Sequence, residues 1–219
     1  MNYRHAFHAG NHADVLKHVV LLFCLDALKR KETPFGVLDT HAGGGRYDLF
    51  SAEAMRSPEW QHGIGELWDW PDAPPAVARL KRAILADNAD GALRHYPGSP
   101  LLIANALREG DALEACELHP EEYAALRQTV GRRPGVHLHA RDGFEALTAL
   151  LPPKQRRGLV LIDPPYEKPD EVFKTAQVMG PALQRFGHGV YLWWRPLKND
   201  SELRRADAEG TILLVSEEA

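Results

Sequence analysis

Residues 157–170 read Arg-Gly-Leu-Val-Leu-Ile-Asp-Pro-Pro-Tyr-Glu-Lys-Pro-Asp. A short apolar run, Gly158 to Ile162, ends on Asp163, Pro164, Pro165 and Tyr166. Two consecutive prolines remove two backbone donors and stiffen the chain. They hold a carboxylate, rigid carbonyls and a phenol at fixed places just past a strand end. In an open α/β sheet that edge is where ligands bind. An exocyclic amine on a nucleobase meets this combination. Its lone pair is conjugated into the ring, so it is a poor nucleophile. The Asp163 carboxylate and the Pro164 carbonyl can both accept hydrogen bonds from the NH2. That orients the amine and offsets charge developing on nitrogen. Tyr166 can stack on a base taken out of its helix or loop. The bland alternative is a proline-stiffened loop with a chance acid, and the buried strand in front of it weighs against that.

A second cluster, Asp39-Thr-His-Ala-Gly-Gly-Gly45, constrains what the amine would react with. It has no Gly-Lys-Ser/Thr, so a phosphate-cradling loop is unsupported, and G-x-G-x-x-G fails because Asp48 follows Gly43 and Gly45. The pattern D-x-x-x-G-x-G, from Asp39 through Gly43 to Gly45, is the turn shape of S-adenosylmethionine-dependent methyltransferases, where glycines let the backbone approach a ligand. A sulfonium supplies an activated methyl, so positioning and electrostatics can carry the catalysis, with S-adenosylhomocysteine as product. Glu117 ends a second apolar run, where a carboxylate can take two hydrogen bonds from a ribose diol. Glu66, about twenty residues past the glycines, is set aside because it lies among inserted helices. Asp142 could receive the cofactor's adenine amino group, with Gly143 leaving room for the ring. Equally, Asp142 could cap the following helix.

The elements that must position these residues follow from periodicity and caps. A helix is expected over 13–30, preceded by Asn11 or His12, and a short buried strand over 34–39. Residues 99–108 suit a helix with Ser99 as N-cap and Pro100 at its first position. Then come a strand ending near Glu117, a helix from Pro120, a strand ending near Asp142, and a helix from Phe144. The strand 158–162 leads to a helix over 170–186, with a break expected at Gly180-Pro181, and to strands over 189–196 and 211–215. Strands alternating with helices mean a parallel sheet covered on both faces, an α/β, Rossmann-like fold. It would bring Asp39, Glu117, Asp142 and Asp163 to one sheet edge, although acids also favour turns in general. More than seventy residues separate Asp39 from Glu117, where about thirty suffice for such a step. Residues 48–97 are therefore expected to be a helical insertion within a single domain, 1–219. Two helices, over 57–70 and 73–88, would flank a Pro-rich turn.

Composition sets outer bounds. The 219 residues are 44% hydrophobic and 26% charged, which suits one domain with a sizeable core. A formal charge of −4 does not advertise a nucleic-acid binder, though local patches matter more than the sum. Cys24 and Cys116 form no C-x-x-C pair and read as reduced, buried thiols. Neither a secretory leader nor an apolar run of membrane-spanning length is visible. The expectation is a soluble, cytoplasmic protein with no membrane contact and no obligate protein partner.

The Asp163–Tyr166 motif resembles the D/N-P-P-Y/F signature of amino-methyltransferases acting on adenine or related bases. Together with residues 3–18, 38–49, 96–102, 117–123, 140–144 and 156–167, the chain resembles one family, RlmJ, the bacterial 23S ribosomal RNA adenine-N6 methyltransferases. The resemblance covers roughly residues 1–195, in the same order and with a helical insertion in the same place. It implies methyl transfer from S-adenosylmethionine to an adenine N6 in 23S ribosomal RNA. His18, His41, Ser99, Glu117, Asp142 and Gly143 would touch the cofactor, beside Gly43 of the turn. Asp163 would be the catalytic acid-bearing residue and a cofactor neighbour, and Tyr3 would contact the RNA. Family members continue for several dozen residues beyond the point matching Ala219, so the antiparallel pair that closes such sheets is expected to be incomplete.

Three other readings compete with this one. Eleven histidines, with His8 and His12 four apart, raise a metal-dependent hydrolase. Gly10 interrupts that pair and no H-E-x-x-H occurs, so no metal is expected. A non-catalytic RNA-binding module is opposed by the intact Asp163–Tyr166 motif. A DNA adenine-N6 methyltransferase shares the chemistry. Arg4, Lys17, Arg46, Lys154, Arg156 and Arg157 could hold phosphates of either polymer, or simply be solvated. The segment before Ala13 is expected to lie over the cofactor cleft and grip RNA through Tyr3 and Arg4.

Overall fold

The computed structural model describes residues 5–167 and 170–195. Its strands are β1 (Gly36–Asp39), β2 (Arg46–Asp48), β3 (His95–Pro97), β4 (Ala112–Cys116), β5 (Val136–His139), β6 (Gly158–Ile162) and β7 (Val190–Trp193). Five of them form one parallel sheet in the order β5-β4-β1-β6-β7. The chain builds outward from β1 to β4 and β5, then returns to lay β6 and β7 on the other side. The order therefore reverses between β1 and β6, and a ligand crevice is expected outside their C-terminal ends.

Every residue of β1 and β6 is buried, as in parallel strands covered on both faces. Alternation sends Val37, Leu159 and Leu161 into one core with Leu21, Leu25 and Leu102. Leu38, Val160 and Ile162 enter the other, with Leu147 and Phe186. This double burial is why the sequence shows continuous apolar runs there.

The helices are α1 (His12–Lys29), α2 (Ala52–Arg56), α3 (Ile64–Trp68), α4 (Pro75–Leu85), α5 (Ser99–Ala106), α6 (Pro120–Val130), α7 (Gly143–Ala149) and α8 (Glu171–Arg185). Asn11 caps α1 by accepting the Asp14 N–H at 2.9 Å. Three expectations need correction. Ser99 does not cap α5: Gly98 occupies that position, and Ser99 and Pro100 are the first two helical residues. No break occurs at Gly180-Pro181, since α8 runs continuously through Pro181. Ala182 and Phe186, both wholly buried, fix its last turns to the sheet and outweigh the one missing N–H. Finally, no single helix spans 57–70. The stretch divides at Gly63 into a 3-10 turn (Glu59–His62) and α3. Gly63 packs directly on the Gly10 carbonyl, where a Cβ would overlap it, and Ile64 N–H donates to that carbonyl at 2.9 Å. Close backbone packing overrides local helix preference.

Strands β2 and β3 pair antiparallel as a separate ribbon, and α2, α3 and α4 lie between them in sequence. The strand expected at 211–215 lies outside the described residues.

Candidate active site

A cavity of about 300 Å3 opens at the C-terminal edge of the sheet, beside the ends of β1, β4 and β6. One wall is the turn after β1. Gly43 and Gly45 have φ of +61° and +82°, a region open to glycine at no steric cost. A Cβ on Gly43 would overlap the Tyr47 hydroxyl, which accepts the Gly44 N–H at 3.0 Å. Gly43 N–H donates to Glu117 Oε2 at 2.9 Å, and His119 N–H donates to Glu117 Oε1 at 2.7 Å. Each carboxylate oxygen is oriented yet keeps a lone pair for a ligand hydroxyl. Burial raises the Glu117 carboxyl above the usual range, with the backbone donors pulling the other way.

His18 and His41 both line the cavity. Burial lowers His18 to about 3 and His41 to about 4, so both are neutral near pH 7. The Thr40 hydroxyl donates to the Leu161 carbonyl at 3.0 Å. Its 2.8 Å bond to His41 Nδ1 therefore has the imidazole N–H as donor, which leaves Nε2 as an acceptor. His18 Nδ1 pairs with the Tyr96 hydroxyl at 2.8 Å, the rings stacked 5.5 Å apart. His119 Nδ1, buried in the cavity wall, has no hydrogen-bond partner among the described residues.

Of the four strand-end acids, Glu117, Asp142 and Asp163 line the cavity. Asp39 does not: it is fully buried beneath Ser99, whose hydroxyl donates to Asp39 Oδ2 at 2.7 Å. Burial pushes the Asp39 carboxyl up to about 7. Freed from capping, Ser99 serves as a bridge between Asp39 and the cavity. Asp142 does cap α7, accepting the Phe144 N–H at 2.7 Å through Oδ1. Its Oδ2 lies 3.7 Å from Lys174 Nζ. The missing side chain of Gly143 makes room for protein as well as for a ligand, since a Cβ there would overlap the Thr40 carbonyl oxygen and crowd His41.

At the end of β6, Asp163 Oδ2 accepts from Lys17 Nζ at 2.5 Å. Lys17 also lies 2.8 Å from Asp14 Oδ1, and Asp14 Oδ2 bonds His5 Nε2 at 2.8 Å and the Gly10 N–H at 3.0 Å. Burial opposes the Lys17 charge, but Asp14 and Asp163 more than offset it and hold the ammonium well above its usual range. Lys17 is thus a buried partner of the Asp163 carboxylate, not the phosphate contact its basicity suggested. The signal in the sequence was Asp14 and Lys17 on one face at i,i+3. Two other phosphate candidates are also engaged: Arg46 pairs with Asp87 at 2.7 Å, and Arg157 donates to the Leu28 and Thr33 carbonyls.

Pro164 and Pro165 line the cavity, and Tyr166 does not. Its hydroxyl turns toward the end of β7, accepting from Trp193 Nε1 at 2.8 Å and donating to the Trp194 carbonyl. Tyr3 and Arg4 lie outside the described residues. His5, next in the chain, reaches the cavity with its ring 5.0 Å from that of Tyr47. His5, Tyr47, His119 and Lys174 are cavity residues that sequence reasoning did not select, because neither residue type nor spacing sets them apart from their neighbours. Among the described residues no group of three His, Cys, Asp or Glu side chains converges on a metal position, and no helix is long and apolar enough to cross a membrane.

A parallel sheet that reverses between β1 and β6, with a glycine turn, a ribose-competent acid and an Asp-Pro-Pro-Tyr loop on its open edge, defines an α/β methyltransferase. The family model described as "Ribosomal RNA large subunit methyltransferase D, RlmJ" matches residues 32–210, and the chain belongs to that family. It is 43% identical over 213 residues to the Escherichia coli (strain K12) protein named ribosomal RNA large subunit methyltransferase J, covering 96% of this chain and 76% of that protein. The Haemophilus influenzae protein of the same name is 45% identical over 206 residues, covering 94% and 73%. A crystal structure of a Legionella pneumophila (strain Philadelphia 1) protein superposes with a TM-score of 0.83 at 36% identity, over 92% of this chain and 74% of that one.

Proposed function

We propose that the chain transfers a methyl group from S-adenosylmethionine to the exocyclic N6 of an adenine in 23S ribosomal RNA. The observation that carries this is the Asp163 carboxylate, fixed by Lys17 at the mouth of a cavity that also holds the glycine turn and Glu117. The relatives' names, which specify large-subunit ribosomal RNA, supply the polymer.

When bound, the cofactor supplies an activated methyl. The chain's own residues do the rest. Glu117 takes the ribose hydroxyls with the lone pairs that Gly43 and His119 leave. Asp142 and Gly143 flank the adenine, and neutral His18 and His41, with Ser99, complete the cofactor contacts. Lys17 occupies Asp163 Oδ2 and holds the carboxylate in one orientation. Oδ1 and the Pro164 carbonyl then accept hydrogen bonds from the two N6–H groups and orient the amine lone pair for methyl transfer. This is orientation and charge stabilisation, and it needs no proton transfer before the methyl arrives. A methylated ammonium is acidic enough to lose its proton to water afterwards. Tyr166, next to the cavity-lining Pro165, receives the face of the target base outside the cofactor cavity, and Tyr3 and Arg4, outside the described residues, contact the RNA. Residues 48–97 act as an insertion within one methyltransferase domain, and the protein works in the cytoplasm.

The test is incubation with labelled S-adenosylmethionine and either 23S ribosomal RNA or DNA, followed by digestion and identification of the nucleoside. N6-methyladenosine in RNA is expected. Label found only in DNA would remove the polymer assignment. Asp163→Ala should lower the single-turnover rate by about 10²–10³, and Asp163→Asn, which keeps an acceptor oxygen, should retain more. Wild-type rates in Asp163→Ala would refute the site.

A further inference from the structure

Tyr166 is one of two non-glycine residues, with Arg156, that hold a positive φ among the described residues; its value is +52°. Such a backbone is strained and persists only where its surroundings hold it. The surroundings here are the C-terminal end of β7. Trp193 Nε1–H donates to the Tyr166 hydroxyl at 2.8 Å, and that hydroxyl donates to the Trp194 carbonyl. Trp194 is itself buried, and its N–H donates to the Ile162 carbonyl at 2.9 Å, one step beyond the Ile162–Trp193 register. The hydroxyl is therefore tied to the sheet through both its donor and its acceptor function. Burial raises the phenol above the usual tyrosine range. It stays protonated under working conditions and acts as an anchor, not as an acid or base.

We propose that Trp193 is a positioning residue for methyl transfer, its indole N–H fixing the Tyr166 ring where the target base is received. The proposal rests on the reading of Tyr166 as the base-stacking residue. The loop Asp163–Tyr166 is then clamped at both ends, by Lys17 at the carboxylate and by Trp193 at the phenol. The two prolines between transmit little slack. A ring released at the second clamp would leave the base, and with it N6, less well aligned to Asp163.

The experiment is a double-mutant cycle with Trp193→Phe, Tyr166→Phe and the pair, each measured for single-turnover methylation of RNA, KM for RNA, cofactor affinity and melting temperature. Trp193→Phe keeps an aromatic ring but loses the donor together with the second ring of the indole, so Tyr166→Phe, which loses only the hydroxyl, is the cleaner break of the same bond. Trp193→Phe should lower kcat/KM for RNA by about 3- to 10-fold, the loss of one hydrogen bond, with cofactor affinity unchanged. Tyr166→Phe should do likewise, and the pair should be no worse than Tyr166→Phe. Losses that multiply in the pair, a Trp193→Phe variant as active as an active wild type, or a parallel fall in cofactor affinity would each overturn the proposal. If Trp193→Phe folds poorly, Tyr166→Phe breaks the same bond from its other end. The Trp193 indole N–H should then exchange faster with solvent by NMR, and unchanged exchange would count against the bond. A wild type inactive on RNA removes the functional reading itself, and the proposal with it.

Discussion

With Lys17 Nζ 2.5 Å from Asp163 Oδ2, one oxygen of the carboxylate is engaged before any substrate arrives. The series His5, Asp14, Lys17, Asp163, buried at Asp14 and Lys17 and part-exposed at its two ends, leaves Asp163 Oδ1 as the oxygen available to an incoming amine. Glu117 is organised by the same logic, with backbone N–H groups of the glycine turn and of His119 in place of a side chain. Glu117→Ala should therefore lose the ribose diol and also release Gly43, weakening S-adenosylmethionine by roughly 1.5–3 kcal/mol. Calorimetry on the folded variant measures this, and unchanged affinity would take Glu117 out of the site. The residues legible in the sequence were those whose motif states their chemistry: Asp163 after an apolar strand, Glu117 after another. Lys17 was visible but misread, because a lone lysine on a helix is most often a solvated charge, and its partner stands 146 positions away. Asp39 and Tyr166 show a different limit. Their sequence positions were legible, but the direction each side chain takes is set by Ser99 and by Trp193.

At the scale of elements, the parallel strands and long helices could be read because burial on both faces and capping leave strong patterns. Strands β2 and β3 could not, since three residues are too few to show a period of two. The split at Gly63 and the continuity through Pro181 depend on contacts from elsewhere, Gly10 in one case and the sheet in the other. Glycine at element junctions gives the sharpest test of how the site is assembled. Gly143 begins α7 directly against the Thr40 carbonyl, and Gly158 begins β6 directly against the Gly36 carbonyl. A methyl group has no room at either place, and neither obstacle is a flexible side chain. Gly143→Ala and Gly158→Ala should each destabilise the fold, by about 2–4 kcal/mol in urea unfolding. Only Gly143→Ala pushes on His41 and Asp142, so only it should also weaken cofactor binding per folded molecule. Calorimetry under conditions where both variants are folded distinguishes them. Equal cofactor affinity in the two would mean that the start of α7 does not set the cofactor contacts.

For the whole molecule, the cavity groups link stability to pH in a way whose sign can be worked out. His18 and His41 are held at about 3 and about 4, below the ordinary histidine value of 6.5. Between those limits the unfolded chain binds their protons and the folded chain does not, so their contribution is present above pH 6.5 and lost on acidification. Asp39 works in the opposite sense. It is held up at about 7 against an ordinary 3.8, so in the same window the folded chain binds a proton that the unfolded chain has released, and its contribution is lost as pH rises. Two histidines outweigh one aspartate. Near pH 5 to 6 these three groups give the unfolded chain a net of about one more proton, and Glu117, which burial also raises, acts with Asp39 to reduce that excess, so they should make stability rise with pH by at most about 1 kcal/mol per unit. Removing one histidine, as in His41→Asn, leaves His18 against Asp39 and Glu117 and should flatten the slope to zero or reverse it. Urea midpoints at three pH values across this window, on wild type and His41→Asn without cofactor, read the difference directly. A slope unchanged by the substitution would mean that His41 titrates in the folded protein much as it does in the unfolded chain. The imidazole would then be charged below about pH 6, with both ring nitrogens as donors, and would act as a neutral acceptor only above that range.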